Sequence, residues 1–133
     1  MKSTLLIIGG AIQILIVALH ITIFFGISSA EISSYVKESV HIFNAAVLTI
    51  VIFFAYISFF HRHELLNTML GKIVLLFIAV FYLQRGLVEA FLRGIKPLNL
   101  SLFIVIAALY IVPIFLLKKE EKEKLNLTVE EKV

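Results

Sequence analysis

Three stretches of this chain contain no Asp, Glu, Lys or Arg and are each long enough to cross a lipid bilayer. Ser3 to Ala30 is uncharged over 28 residues, Ser39 to His61 over 23 and Pro97 to Leu117 over 21. An α-helix rises about 1.5 Å per residue, so about 20 residues cover the roughly 30 Å of hydrocarbon in a bilayer. A fourth segment is apolar from Ile73 to Leu83, reaches Arg85, and continues through Glu89 to Arg93 and Gly94. It attains spanning length only with Arg85 and Glu89 inside the membrane or its interface. Leaving it out would place Leu75 to Leu83 in water. The reading is therefore four spans, at about 4–27, 36–60, 70–94 and 98–117.

Composition supports lipid as the solvent. The chain is 61% hydrophobic and 16% charged, with a mean hydropathy of +1.06. A soluble domain is about half apolar and a quarter charged, and could not bury this much apolar surface. The runs are continuous rather than alternating, and only helices or closed barrels satisfy backbone groups in lipid, which favours helices. The fold expected is an all-α integral membrane four-helix bundle, up-down-up-down, with both termini on the same side.

The breaks between spans agree with this. Ser28, Ser29, Ser33 and Ser34 mark the first turnaround, with Ser33 or Ser34 as an N-cap. Asn67 and Thr68 can cap the third span, Gly94 suits its C-terminus and Pro97 stands where the fourth begins. Pro113 falls inside the fourth span, where a missing N–H predicts a kink. Residues 118–133 form a mixed-charge cytoplasmic tail that prolongs the last helix briefly before fraying. The first apolar run exceeds the about 7–15 residues of a signal-peptide core, so it is read as an uncleaved span.

Orientation follows the basic residues. Lys2, Arg62, Lys72, Lys118, Lys119, Lys122, Lys124 and Lys132 collect on the side of the termini, against Lys37, Arg93 and Lys96 on the other. The positive-inside rule places the termini in the cytoplasm and the protein in the cell membrane. The formal charge of +3 is explained by this flanking pattern, and no nucleic-acid partner is expected. The bilayer itself is the expected surrounding.

Cysteine is absent, which excludes disulfides, thiolate nucleophiles and cysteine-bound metals. The chain has no aspartate, phosphate loop, nucleophile elbow or His-Glu-x-x-His motif, so the balance leans away from an enzyme. What remains is a set of ionisable residues within the spans. With alternating helices, His20 and His41 fall roughly 10 Å from the outer ends of their helices, and Glu89 and Arg85 roughly 7 and 13 Å below Gly94. Such groups cost about 2.5–3.5 kcal/mol each on insertion scales and turn toward the bundle interior.

Spacing assembles them into stripes. Gln13 and His20 share one helical face; Glu38, His41 and Asn44 share another; Tyr82, Arg85, Glu89 and Arg93 form a third. Converging stripes predict a polar pocket in the outer half of the bundle for an ion, cofactor or small ligand. Its candidate residues are Gln13, His20, His41, Asn44, Tyr82, Arg85 and Glu89, with His20, His41 and Glu89 as ligands to a metal ion or haem.

Two other readings stand beside it. In an accessory or structural subunit, Arg85, Glu89 and Arg93 neutralise one another and the histidines bond across helices. In a membrane enzyme, the His, Glu and Arg side chains act on a lipid-soluble substrate. Gly86, Ala90 and Gly94 give the third span a smooth strip for another helix, within the bundle or in a homo-oligomer. Tyr56 and Tyr110 are expected nearer the inner leaflet, where a phenol reaches the headgroups. His61-Arg62-His63 falls at the cytoplasmic interface, where charge beside headgroups is expected. Asn99-Leu-Ser101 and Asn126-Leu-Thr128 match glycosylation acceptors, but neither site is suitably placed.

Overall fold

The computed structural model describes residues 1–130, with the backbone alone at Arg93, Glu120, Glu121 and 124–130. Five helices follow in order: α1 (Lys2–Ser29), α2 (Ser34–Phe60), α3 (Arg62–Asn67), α4 (Met69–Arg93) and α5 (Pro97–Glu130). α1, α2, α4 and α5 are long and apolar enough to cross a membrane, marking a multi-pass membrane protein. They form an up-down-up-down bundle. Both termini and α3 lie at one end, here the terminal end; the α1–α2 and α4–α5 turns lie at the other, the loop end.

The expected punctuation is present, with additions. Thr68 caps α4, its Oγ1 accepting from the Gly71 N–H at 2.9 Å. Gly94 ends α4 at φ 75°, and Pro97 opens α5. Ser33 is the N-cap of α2, though its side chain makes no capping bond. α3 was not expected: six residues are too few to show a period, and its place is set by tertiary packing, with Leu65 buried and Leu66 against the core. α5 passes through Pro113 and continues to Glu130, well beyond the brief extension expected of the tail. The Lys-Lys-Glu-Glu-Lys-Glu-Lys run is made of strong helix formers, and Lys119 pairs with Glu123 one turn on at 3.8 Å.

Packing divides the bundle into two hairpins. α1 lies against α2 and α4 against α5, with α1 also touching α5. Within lipid-facing turns, hydroxyls return to their own helix: Thr22 donates to the Ala18 carbonyl and Thr49 to the Ala45 carbonyl, each at 3.0 Å. The outer surface is apolar, with Leu15 70%, Leu87 68% and Phe91 90% exposed. In water this would be a single large adhesive patch; in hydrocarbon it is solvated.

The core is not spread evenly along the bundle. The buried residues of α1 are Leu6, Gly9, Gly10 and Gln13, all in its first half. Phe54 and Ile57 of α2, Leu65 of α3, Leu75 and Ile78 of α4, and Ile106 and Tyr110 of α5 complete the cluster at the terminal half and mid-depth. Two glycines permit this closeness. A Cβ on Gly9 would stand 2.9 Å from the Tyr110 ring, and one on Gly10 3.0 Å from Phe59. α2 and α4 are bridged by Phe54, which meets Phe81 edge-on at 5.4 Å between centroids. Above this layer the hairpins part.

Candidate functional site

At mid-depth a polar knot joins all four spans. Tyr82 of α4 donates its O–H to Gln13 Oε1 of α1. Gln13 Nε2 donates to the Tyr110 hydroxyl of α5 at 3.2 Å, and that hydroxyl lies 3.1 Å from Ser58 Oγ of α2. Gln13, Ser58 and Tyr110 are fully buried. In a dry interior each of these groups must find a partner, and here each partner lies on a different helix. The knot therefore fixes helix register. Tyr110, expected to reach the headgroups near the inner leaflet, is instead enclosed here, because glycine at position 9 leaves room for its ring. Tyr56 stays exposed, its hydroxyl 3.3 Å from His61 Nε2.

On the loop-end side of the knot, the parting hairpins enclose a cavity of about 480 Å³ that all four spans line. Ile16 and Leu19 of α1, Val51 of α2, and Leu102, Phe103 and Ile106 of α5 give it mostly apolar walls. Tyr82 forms its floor, and His20, Gln84, Arg85, Glu89 and Asn99 supply polar atoms. Exposed Leu19, Arg85, Val88 and Leu102 show that it opens at the surface of the bundle.

Each polar group is presented in a definite state. His20 Nδ1 lies 2.6 Å from Asn44 Oδ1, while Asn44 Nδ2 donates to the His20 carbonyl at 3.0 Å. The amide oxygen can only accept, so Nδ1 is the donor of this bond and Nε2 is left free of it. Asn99 Nδ2 donates to Glu89 Oε1 at 2.5 Å, leaving the second carboxylate oxygen as an acceptor. The Arg85 guanidinium makes no ion pair or hydrogen bond with any described residue, although Glu89 lies one turn away on the same helix. The self-neutralised Arg85–Glu89 stripe of the packing reading is thus not formed. The Arg93 side chain lies outside the described residues.

Of the expected residues, His20, Tyr82, Arg85 and Glu89 line this cavity. Asn44 stands behind His20 and Gln13 behind Tyr82. His41 is turned elsewhere: its ring lies 4.4 Å from that of Phe24, its Nε2 is 3.3 Å from Ser28 Oγ, and its buried Nδ1 has no partner. The metal set of His20, His41 and Glu89 is accordingly not assembled. Among the described residues no three His, Cys, Asp or Glu side chains come together to hold a metal ion. The period-three spacing from Glu38 through His41 to Asn44 places only Asn44 toward the cavity: successive steps of three drift around the helix by about 60°.

Asn99 and Ser58 were not among the pocket residues expected from the sequence. Asn99 had a readable signal, since the short Gly94–Lys96 turn brings the first turn of α5 beside the Glu89 turn of α4. Ser58 had none; a serine in an apolar run is equally able to bond its own helix. The Gly86 end of the small-residue strip is occupied within the chain, where a Cβ would stand 3.2 Å from Phe103 of α5. Comparison with protein-family profiles, curated proteins and solved structures finds no match.

Proposed function

We propose that this is a membrane binding protein of the cell membrane, its termini cytoplasmic, whose outer-half cavity holds a small amphiphile. One observation supports this above the others: Arg85 lies within a span, lines the cavity and is not neutralised by a described side chain. An arginine there costs about 2.5–3.5 kcal/mol on insertion scales, a cost usually met by a partner. An external head group that accepts from the guanidinium provides one. The second ring nitrogen of His20 and the second carboxylate oxygen of Glu89 suit a hydroxyl on the same head. The apolar body of the ligand rests against Leu19, Leu102 and Phe103, and the opening between hairpins admits it from the lipid.

Organic extraction of the purified protein, followed by mass spectrometry, tests this reading. Wild type should retain a species depleted in Arg85→Met and in Val88→Trp, which fills the cavity mouth. A hydrogen bond to a charged group contributes about 1.5–3 kcal/mol, so Arg85→Met should lower retention about tenfold or more. Identical extracts from all three proteins would leave the cavity filled by bulk lipid alone, and the reading would fail.

A further inference from the structure

A second cavity, of about 170 Å³, lies at the terminal end, where the start of α1, the short α3 and the end of the α5 span meet. It shares no lining residue with the first. α3 brings Arg62 and His63 to its wall, and α1 brings Lys2 and Ser3. Leu66 and Leu117 form its apolar side, and Asn67 completes it. In a six-residue helix, positions 62, 63, 66 and 67 share one side. Glu64, the acidic residue of α3, is not in the wall and lies 3.8 Å from His61.

The chemistry of this wall is that of an anion site beside hydrocarbon. Arg62 spends one N–H on the Phe59 carbonyl at 3.3 Å and has four further donors. His63 adds a ring N–H that can donate to an anion. Arg62 belongs to the larger set of basic residues at this end, with Lys72, Lys118 and Lys119, whereas Lys37 and Lys96 stand at the other. The two leucines make the cavity amphipathic, unlike a site for a fully hydrated ion.

We propose that this cavity seats the phosphate of an anionic phospholipid, with Arg62 and His63 on the phosphate and Leu66 and Leu117 against the glycerol and first methylenes. Phosphate is the shared chemistry of a lipid headgroup and of free phosphate in the cytosol; the leucines favour the lipid. The site stands independently of the amphiphile cavity, because it lies beyond the Gln13–Tyr110 knot and uses different residues.

The test takes the full chain, delipidated in detergent, with an equimolar mixture of phosphatidylglycerol and phosphatidylcholine of matched chains, read by native mass spectrometry. Wild type should retain phosphatidylglycerol in preference. A basic residue near an anionic surface contributes enough for about a fivefold change, so Arg62→Gln should lower the preference about fivefold and Arg62→Lys should restore most of it. Lys118→Gln with Lys119→Gln removes more charge outside the wall and should change it less than twofold. Absence of preference in wild type, or an equal loss in the tail variant, would overturn the proposal, the latter in favour of diffuse attraction. Displacement of the lipid by millimolar inorganic phosphate alone would also overturn it, pointing to a soluble ligand. If Arg62→Gln fails to fold, the wild-type preference and phosphate competition still decide the outcome.

Discussion

The polar knot can be tested by removing its central member. Gln13→Leu keeps the side-chain volume nearly constant while deleting two bonds, to Tyr82 and to Tyr110. Interhelical hydrogen bonds in membranes average about 0.6 kcal/mol and reach about 1.7, so two give a range of about 1.2–3.4 kcal/mol. Tyr110 keeps Ser58, but Tyr82 is left with a buried donor and no acceptor, a cost of about 1–3 kcal/mol by itself. The loss of unfolding free energy should therefore be about 1–3 kcal/mol, from equilibrium unfolding in bicelles. Tyr82→Phe should cost about 1 kcal/mol in wild type but cost nothing or recover stability in Gln13→Leu, because there it removes a hydroxyl already left without an acceptor. Thr49→Val supplies the control, since Thr49 bonds only its own helix. Additive effects of Gln13→Leu and Tyr82→Phe, with a coupling below about 0.3 kcal/mol, would refute the claim that the two side chains support each other across α1 and α4.

Three further outcomes follow from the packing. Gly9→Ala should cost about 1–3 kcal/mol in the same titration, its new methyl forced against the Tyr110 ring at 2.9 Å, whereas Gly26→Ala, in open space, should cost nothing. Gly71→Ala drives a Cβ into the Glu64 carbonyl oxygen and Leu65 Cα, both unyielding backbone; α3 must shift, with a loss at or above about 3 kcal/mol, again from unfolding titration. Asn44→Leu removes the acceptor that holds the proton on His20 Nδ1, so ¹⁵N NMR of the His20 ring should show the Nδ1–H form in wild type and a mixture of tautomers in the variant.

The sequence by itself determined that there are four apolar helices and that their few polar side chains lie on definite stripes, though not how far α5 runs past the last span. The reason is local: a run without charges must be solvated by lipid or protein, an α-helix is how one segment satisfies its own backbone there, and Thr68, Gly94 and Pro97 act through bonds within a turn of themselves. The stripes of Tyr82, Arg85 and Glu89, and of Gln13 and His20, were equally readable, because helical periodicity is a property of one chain segment. Which stripes meet was not. His20 turned to Asn44 and the cavity while His41 packed on Phe24; Glu89 took Asn99 rather than Arg85; Tyr110 went into the core. Those outcomes depend on how closely two hairpins approach, which is set by Gly9 and Gly10 at one end and by the parting of α2 from α4 at the other. Distances between helices arise only when all four are packed together, so the closed half, the open half and the exposed guanidinium between them belong to the tertiary structure alone.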